Sequence, residues 1–300
     1  MTAAPPSTYQ RVIPESPVDG RGLGRHVNHD PRSRAYQVRP RAALARSVAW
    51  NRRTPVLDQG STSGCTGNAA CGALGTDPLY ATLATRLQAG LKLDEDEALR
   101  LYAAATAVDP FAGTFTYPPP GGQDTGSDGL SVAKAAKNAG LISGYVHCLS
   151  LDAVITALQT GPVITGVNWY DSFDSPDASG RVSISAGAQV RGGHEFEIVA
   201  VDVADKTLRA VNSWGTSYGD GGYFTFEYSD YERLLHEDGD ATQLVPLSSP
   251  APTPTPGPGD ALDMALVAAG NRWEHTILSR LTKAGQFRVA FDNWKAGRGY

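Results

Sequence analysis

The sequence predicts an α+β fold with a helix-rich first lobe and a strand-rich second lobe. Residues 65–73 are small and rich in alanine, and residues 94–107 and 131–139 have apolar side chains at helical spacing behind an acidic or serine start. From Gly161 onward, the apolar residues are mostly β-branched or aromatic and occur in short runs. Helices followed by strands favour two packed lobes, and a cleft between lobes is a common place for a site.

Four runs in the second half are predicted as strands. Each run is rich in Val, Ile, Phe or Tyr and is bounded by Gly, Asp or Ser, which favour turns. The runs are 162–169, 196–203, 207–211 and 222–228.

The composition is typical of a globular protein, with 300 residues, 41% hydrophobic and 19% charged. No apolar run approaches the ~18 residues needed to cross a bilayer. Residues 1–17 lack the basic start and apolar stretch of a secretion signal. Three cysteines are too few for a disulfide framework, which favours a reducing compartment.

Charge is distributed unevenly along the chain. The net charge is -5, yet residues 1–48 hold eight arginines and three acidic residues. These residues show no sustained period and are predicted to form an extended arm, with a short strand near Tyr36–Val38. The arginines are not interleaved with aromatic residues, so we expect no nucleic-acid partner. We expect the basic arm to lie against the acidic domain at 49–247 and to restrict its cleft, and the alternatives are a flexible tail and a partner-binding segment.

The C-terminal part has two further segments. Residues 248–259, SSPAPTPTPGPG, are predicted to be a semi-rigid spacer. Residues 260–300 have the spacing of an amphipathic helix followed by a second short helix. Such a short segment is marginal for independent folding, so we expect it to dock on a partner or on the rest of the chain.

Cys65 has the context of a catalytic nucleophile. It follows a Gly/Ser loop and precedes the alanine-rich helix, so its sulfur is predicted to lie at the positive end of a helix dipole, where thiol pKa values fall. Gln59 stands six residues earlier and is a candidate donor to the oxyanion formed during acyl transfer.

Two later motifs supply the remaining groups for this chemistry. His194 follows two glycines and opens a strand-like run, which places its ring at a strand end as the candidate base. Asn212 ends a predicted strand, and its side-chain oxygen can fix the imidazole tautomer. Trp214 can keep water away from that hydrogen bond.

The remaining cysteines and histidines are interpreted as structural. Cys71 and Cys148 have no such context. The pairs His26 with His29 and His147 with Cys148 lack a second pair at zinc spacing, so we expect neither a metal nor a cofactor.

At the four candidate residues the sequence resembles the papain and cathepsin family. The family order is Gln, Cys, His, Asn, with the spacing seen from Gln59 to Cys65, and its Asn-Ser-Trp-Gly motif corresponds to Asn212–Gly215. The resemblance spans residues 49–247, and the chain looks like a bacterial or phage-type member. The resemblance implies a papain-like fold with a helical lobe and an antiparallel β-barrel lobe. It also implies a cysteine endopeptidase that acts on protein or peptide substrates through an acyl-enzyme. Without a standard secretion signal, we expect a cytoplasmic or phage/virion-associated protein.

The resemblance also implies substrate-binding residues and has departures. Gly126 and Ser127 resemble the family strip that pairs with substrate backbone, and Trp214 is expected beside the substrate. Glu195 follows the histidine where a small residue is common, and Tyr218 replaces a second tryptophan. The family's long inhibitory prosegment is not recognisable in residues 1–48. Two alternatives remain open, which are a binding or scaffold protein on a peptidase fold and a hydrolase of cell-wall peptides.

Overall fold

The computed structural model describes residues 9–16, 19–41, 45–119 and 121–247. The predicted spacer and C-terminal helical segment lie outside the described residues.

The described part of the arm pairs with itself and with the body of the protein. Strand β1 (Tyr9–Arg11) pairs antiparallel with β2 (Val27–His29), and a 3-10 helix follows at Pro31–Tyr36. In place of the strand predicted near Tyr36–Val38, Gln37 forms a single bridge to His147. The 3-10 helix forms here because Asp30 caps it and Pro31 begins it.

The helical lobe contains the three predicted helices and two short ones. The helices are α1 (Cys65–Leu74), α2 (Leu79–Thr82), α3 (Ala84–Gln88), α4 (Glu95–Thr106) and α5 (Gly129–Asn138). The side chains of Asp94 and Asp128 cap α4 and α5 by accepting backbone N–H bonds. Every residue of α1 is buried, which explains why its side chains are small.

The second lobe is an antiparallel sheet. Its strands are β3 (Val48–Ala49), β4 (Gly144–His147), β5 (Val163–Tyr170), β6 (Val190–Asp202), β7 (Thr207–Val211), β8 (Tyr223–Glu227) and β9 (Asp240–Val245). The order across the sheet is β4-β9-β5-β6-β7-β8, and the short β3 pairs with the second half of β6. Helix α6 (Leu151–Ala157) lies between β4 and β5 in the chain, and α7 (Tyr228–His236) lies between β8 and β9.

The prediction that His194 stands at a strand end is wrong. Strand β6 starts at Val190, so His194 lies inside it and pairs with Val167 of β5. Glycine has a low intrinsic propensity for strands, which is why the sequence predicts a strand end here. Pairing with β5 nevertheless holds Gly192 and Gly193 in the extended conformation. The candidate base is therefore carried on a rigid central strand instead of a turn.

A buried ion pair connects Arg52, three residues after β3, to the central strand β6. Arg52 donates to Glu197 of β6, and the two side chains are 4% and 1% exposed. We expect Arg52→Ala to lower the free energy of unfolding by about 3–5 kcal/mol, because it leaves a buried carboxylate without its partner. Burial raises the pKa of Glu197 above its ordinary 4.5, and the charge of Arg52 opposes this shift. Loss of Arg52 raises that pKa further, so the deficit should grow as pH rises through the pKa that Glu197 has in the folded wild type.

Urea unfolding followed by tryptophan fluorescence measures this effect. The neighbouring Arg53→Ala is the matched control, because Arg53 is half exposed and its ion pair with Asp77 should contribute about 1 kcal/mol or less. Equal losses in the two variants would contradict the expectation.

Candidate active site

Cys65 is the first residue of α1 and is fully buried. Its sulfur accepts a hydrogen bond from the backbone N–H of Glu195, at 3.4 Å. Because Glu195 follows His194 in β6, this contact brings the thiol to the central strand at the residue beside the imidazole. Cys65 of the helical lobe and Glu195 of the sheet lobe, which are 130 positions apart in the chain, are therefore in contact at the cleft between the lobes.

His194 is held by Asn212, which directly follows β7. The distance from His194 Nε2 to Asn212 Oδ1 is 2.7 Å, and that oxygen also accepts from the Ser213 N–H. Among the described residues, His194 Nδ1 has no hydrogen-bond partner, Cys65 included. The amide thus holds one ring nitrogen and leaves the other available to a thiol.

Two tryptophans enclose the imidazole ring. The ring centroid of Trp214 lies 5.0 Å from that of His194, and the ring centroid of Trp169 lies 4.8 Å away. Both indoles are buried, so they keep water from the hydrogen bond between His194 and Asn212. Trp169 was not predicted as a site residue, and its place under the ring is decided by the pairing of β5 with β6.

Gln59 is positioned by a loop that pairs with the residues after Asn212. Its backbone N–H donates to Ser213 O at 2.8 Å, and Ser213 Oγ donates to Gln59 Oε1 at 2.6 Å. The amide oxygen is thereby occupied, and the amide nitrogen is turned toward the cleft. Gln59 Nε2 donates to two carbonyl oxygens, those of Thr62 at 2.7 Å and Leu23 at 3.1 Å.

The N-terminal arm runs through this cleft. The Leu23 carbonyl oxygen accepts a hydrogen bond from the side-chain amide of Gln59, and the Gly22 carbonyl oxygen accepts one from Trp214 Nε1 at 3.0 Å. The backbone N–H of Gly24 donates to Gly193 O at 3.1 Å. The arm is therefore bound as a peptide, through its main chain, over the nucleophile.

The predicted substrate strip contacts the same stretch of arm. Ser127 N–H donates to Gly24 O at 2.9 Å, and His26 N–H donates to Ser127 O at 2.7 Å. A Cβ on Gly126, whose φ is +84°, would lie 2.3 Å from Gly24 O, so only glycine admits the arm this closely. The structure thus places Gly126, Ser127 and Trp214 against a peptide backbone.

Burial disfavours the charged forms of both the thiol and the imidazole. Burial, reinforced by the charge of Glu195, raises the pKa of Cys65 well above its ordinary value. Burial also lowers the pKa of His194 to about 4, although the bond to Asn212 opposes this shift. The sequence predicts a lowered thiol pKa from the helix start. The helix does start at Cys65, but the desolvation that comes with complete burial outweighs the dipole.

Four charged residues beside the nucleophile were not predicted as a site. They are Arg25 of the arm, Asp128 at the start of α5, Glu195 of β6 and Asp240 of β9. Arg25 and Glu195 are fully buried. The one signal in the sequence was Glu195, a carboxylate where the papain family usually has a small residue.

Within the described residues, no group of three or more His, Cys, Asp or Glu side chains is arranged to hold a metal. In the same part of the chain, no helix has both the length and the apolar character of a membrane span.

No protein-family model and no curated protein match the chain. Solved structures do. The digestive procathepsin L 3 of Tenebrio molitor larval midgut is 19% identical, with a TM-score of 0.50 over 75% of this chain and 76% of that chain. Xylellain, a cysteine protease from Xylella fastidiosa, is 18% identical, with a TM-score of 0.49 over 80% of this chain and 99% of that chain.

The likeness to procathepsin L 3 shows that the chain has a papain-like fold. The predicted class, an α+β fold with a helical lobe and an antiparallel sheet lobe, is confirmed.

Proposed function

We propose that the chain is a papain-like cysteine peptidase that hydrolyses peptide bonds through an acyl-enzyme. One observation carries the proposal. A peptide carbonyl, that of Leu23, lies on the Gln59 amide within the cleft that holds Cys65 and the His194–Asn212 pair. Acyl transfer to a thiol uses these groups, which are a thiol, an oriented imidazole and a donor to the carbonyl oxygen.

Each residue has a defined role in this reaction. Cys65 Sγ transfers its proton to His194 Nδ1 and attacks the scissile carbonyl carbon, and Gln59 Nε2 donates to the developing oxyanion. His194 then gives the proton to the leaving amine, and the C–N bond breaks to leave a thioester. Water, deprotonated by His194, hydrolyses the thioester and restores the thiol. Asn212 holds the imidazole ring through both steps.

In the closed form, the arm fills the groove that a substrate must enter. Hydrolysis of an external peptide therefore requires residues 22–26 to leave the cleft. The same movement exposes Cys65 and His194 to water, which removes the desolvation that keeps both neutral.

We expect Cys65 to be the most reactive of the three thiols once the arm is displaced. Burial raises the pKa of Cys71 and of Cys148 far above the ordinary value, and neither lies beside a histidine of the cleft. Brief treatment with iodoacetamide, followed by mass spectrometry of the digested protein, identifies the labelled residue. Faster labelling of Cys71 or Cys148 would contradict the assignment.

Hydrolysis of a proteome-derived peptide library tests the function itself. The wild type should cleave peptides whenever its arm leaves the cleft. The Gly24→Ala variant, in which a Cβ would clash with Ser63 O and displace the arm, should cleave them faster, and Cys65→Ala should abolish cleavage. Cys148→Ala is the matched control, because it removes a buried thiol from the sheet-lobe core and should retain activity. A chain that neither labels at Cys65 nor cleaves any peptide would be a binding protein on a peptidase fold.

A further inference from the structure

A pocket lined by carboxylates opens beside the nucleophile, and an arginine of the arm fills it. Arg25 is fully buried. Its Nε donates to Asp240 Oδ2 at 3.2 Å, and its Nη2 donates to the same oxygen and to Asp238 O, the latter at 2.6 Å. Glu195, whose backbone touches the Cys65 sulfur, forms another wall.

The sheet and two glycines create the space for this side chain. Glu195, Gly166 and Asp240 are directly paired across β6, β5 and β9, so all three face the same side of the sheet. A Cβ on Gly166 would lie 2.5 Å from both Arg25 Nε and Glu195 Oε2. A Cβ on Gly129 would lie 2.6 Å from Glu195 Oε1. The gap between the two carboxylates exists because both positions lack a side chain.

The pocket holds more acceptors than Arg25 uses. Among the described residues, both carboxylate oxygens of Glu195 and Oδ1 of Asp240 have no hydrogen-bond partner, although Glu195 is fully buried. A guanidinium carries more N–H donors than these contacts engage, and Arg25 Nη1 is itself unpaired within the described part of the chain. An arginine that entered at another angle could therefore also bond to Glu195.

The pocket also holds more carboxyl groups than one arginine can pair with. Asp128 lies at its edge as a third carboxyl group, which has a Coulombic interaction with Glu195. Burial raises the pKa of Asp128 to about 6 and raises the pKa of Glu195 more strongly. Asp240 supplies the negative charge that Arg25 neutralises, and the other two acids can ionise further when a cation enters.

The backbone around Arg25 is held by the groove proposed to bind substrate. Arg25 N–H donates to Gly193 O at 2.9 Å, and Ser127 bonds to the residues on either side. The Leu23 carbonyl on Gln59 is only two residues away, about 7 Å along an extended chain. A side chain in this pocket thus belongs to a residue very close to the reacting carbonyl.

We propose that this pocket is the specificity pocket of the enzyme and that it selects peptide substrates with an arginine within three residues of the scissile bond. The inference rests on the proposed function, and it names the substrate class for that site. Arginine should be preferred over lysine, because its planar fork can engage Asp240 and Glu195 together. Arg25 then occupies the pocket as a substrate side chain would.

The enzyme for the test is the full-length Gly24→Ala/Arg25→Ala variant. A Cβ on Gly24 would lie 2.0 Å from Ser63 O, which should displace the arm, and the loss of Arg25 leaves the pocket without its arginine. Internally quenched peptides carry one arginine, moved through six positions of an otherwise neutral sequence, and are matched by peptides with norleucine or glutamate there. At one position, kcat/KM for arginine should exceed that for norleucine by about tenfold or more, as expected for a charge-assisted pair. At the same position, kcat/KM for glutamate should be lower than that for norleucine. A ratio near one at every position overturns the inference.

Substitution of the pocket wall tests the cause of the preference. Asp240→Asn on the same background should reduce the ratio of arginine to norleucine at least fivefold. Asp220→Asn is the matched control, because Asp220 pairs with Arg209 on the surface away from the pocket, and its ratio should not change. An unchanged ratio in Asp240→Asn overturns the inference.

A binding measurement decides the question without catalysis. Fluorescence anisotropy compares a labelled peptide of residues 20–29 with the same peptide carrying norleucine at position 25. The protein is the full-length chain with Gly24→Ala to displace the arm, Arg25→Ala to vacate the pocket and Cys65→Ala to prevent hydrolysis. Norleucine should weaken binding by about tenfold or more. Equal affinities overturn the inference. Arginine-dependent binding without hydrolysis of any peptide would support the pocket and overturn the proposed function.

Arg25→Gln is made alongside Arg25→Ala, because it retains most of the side-chain length if the alanine variant does not fold. Circular dichroism and cooperative urea unfolding establish which variant is used.

Discussion

The variant Gly24→Ala should label with iodoacetamide at Cys65 about 100-fold faster than the wild type. A Cβ on Gly24 would lie 2.0 Å from Ser63 O, and the glycine has φ +114°, a conformation unfavourable for alanine. The clash and the backbone strain together should destabilise the closed arm by about 3 kcal/mol, and each ~1.4 kcal/mol is a factor of ten in the equilibrium. The thiol is fully buried when the arm is closed, so its labelling rate reports opening.

Gly20→Ala is the matched control for this experiment. Gly20 also lies in the arm and also has positive φ, +72°, but a Cβ there would meet no atom within 4 Å. It carries similar backbone strain without the collision, and its labelling rate should stay within a few-fold of the wild type. Equal rates for Gly20→Ala and Gly24→Ala would show that the arm does not control access to Cys65.

The pH dependence of labelling should change with arm position. In the closed wild type, burial raises the pKa of Cys65, so little thiolate forms at neutral pH. In Gly24→Ala the thiol regains water and the field of the helix start, so its labelling should rise at a lower pH than in the wild type. The same comparison applies to a chain that begins near Ala49, from which the arm is deleted.

His194→Ala should reduce kcat/KM about 10⁴-fold or more, whereas Asn212→Ala should reduce it only about 10- to 100-fold. The imidazole moves the proton in both steps of the proposed reaction, so its loss removes the base itself. Asn212 only holds the ring, through one bond of 2.7 Å, and a buried hydrogen bond to a group that becomes charged contributes about 1.5–3 kcal/mol. Both variants are measured on the Gly24→Ala background with one peptide substrate.

Asn168→Ala is the control for the loss of a buried asparagine. Its amide donates to Glu237 O at 2.9 Å and makes no contact with the imidazole bond. It should leave kcat/KM within a few-fold of the parent. An Asn212→Ala variant that folds and is as inactive as His194→Ala would contradict the division of roles.

The arm shows how far charge alone can guide interpretation. A basic segment beside an acidic domain predicts contact, and the structure places residues 22–26 in the cleft. Summed charge, however, predicts many exposed arginine contacts. In the structure, main-chain hydrogen bonds to Gln59, Ser127 and Gly193 hold the arm, together with the buried Arg25. Because buried contacts are weakly screened, arm docking should depend less on salt than surface ion pairs would imply.

The sequence by itself identified a candidate nucleophile, a candidate base and a candidate residue to orient that base, and it determined the helices with clear caps. These features depend on residues near each other in the chain, such as Asp94 before α4 or the motif that begins at Asn212. Helix α7 and strand β9 were missed, because both mix polar and apolar residues and are stabilised by packing on the sheet. The spacing of apolar residues and caps predicts the backbone conformation of a segment only where that conformation is set locally. The capped helices meet this condition, whereas α7 and β9 do not.

Only the tertiary structure decided what surrounds the nucleophile. Glu195 by itself was an unexplained departure from a family pattern. Its meaning depends on Gly166 and Asp240 at its side in the sheet and on Arg25, which comes from the opposite end of the chain. No spacing rule connects residues so distant in sequence. The pocket exists because strand register and arm docking bring them together, and burial then turns their charges into a recognition site.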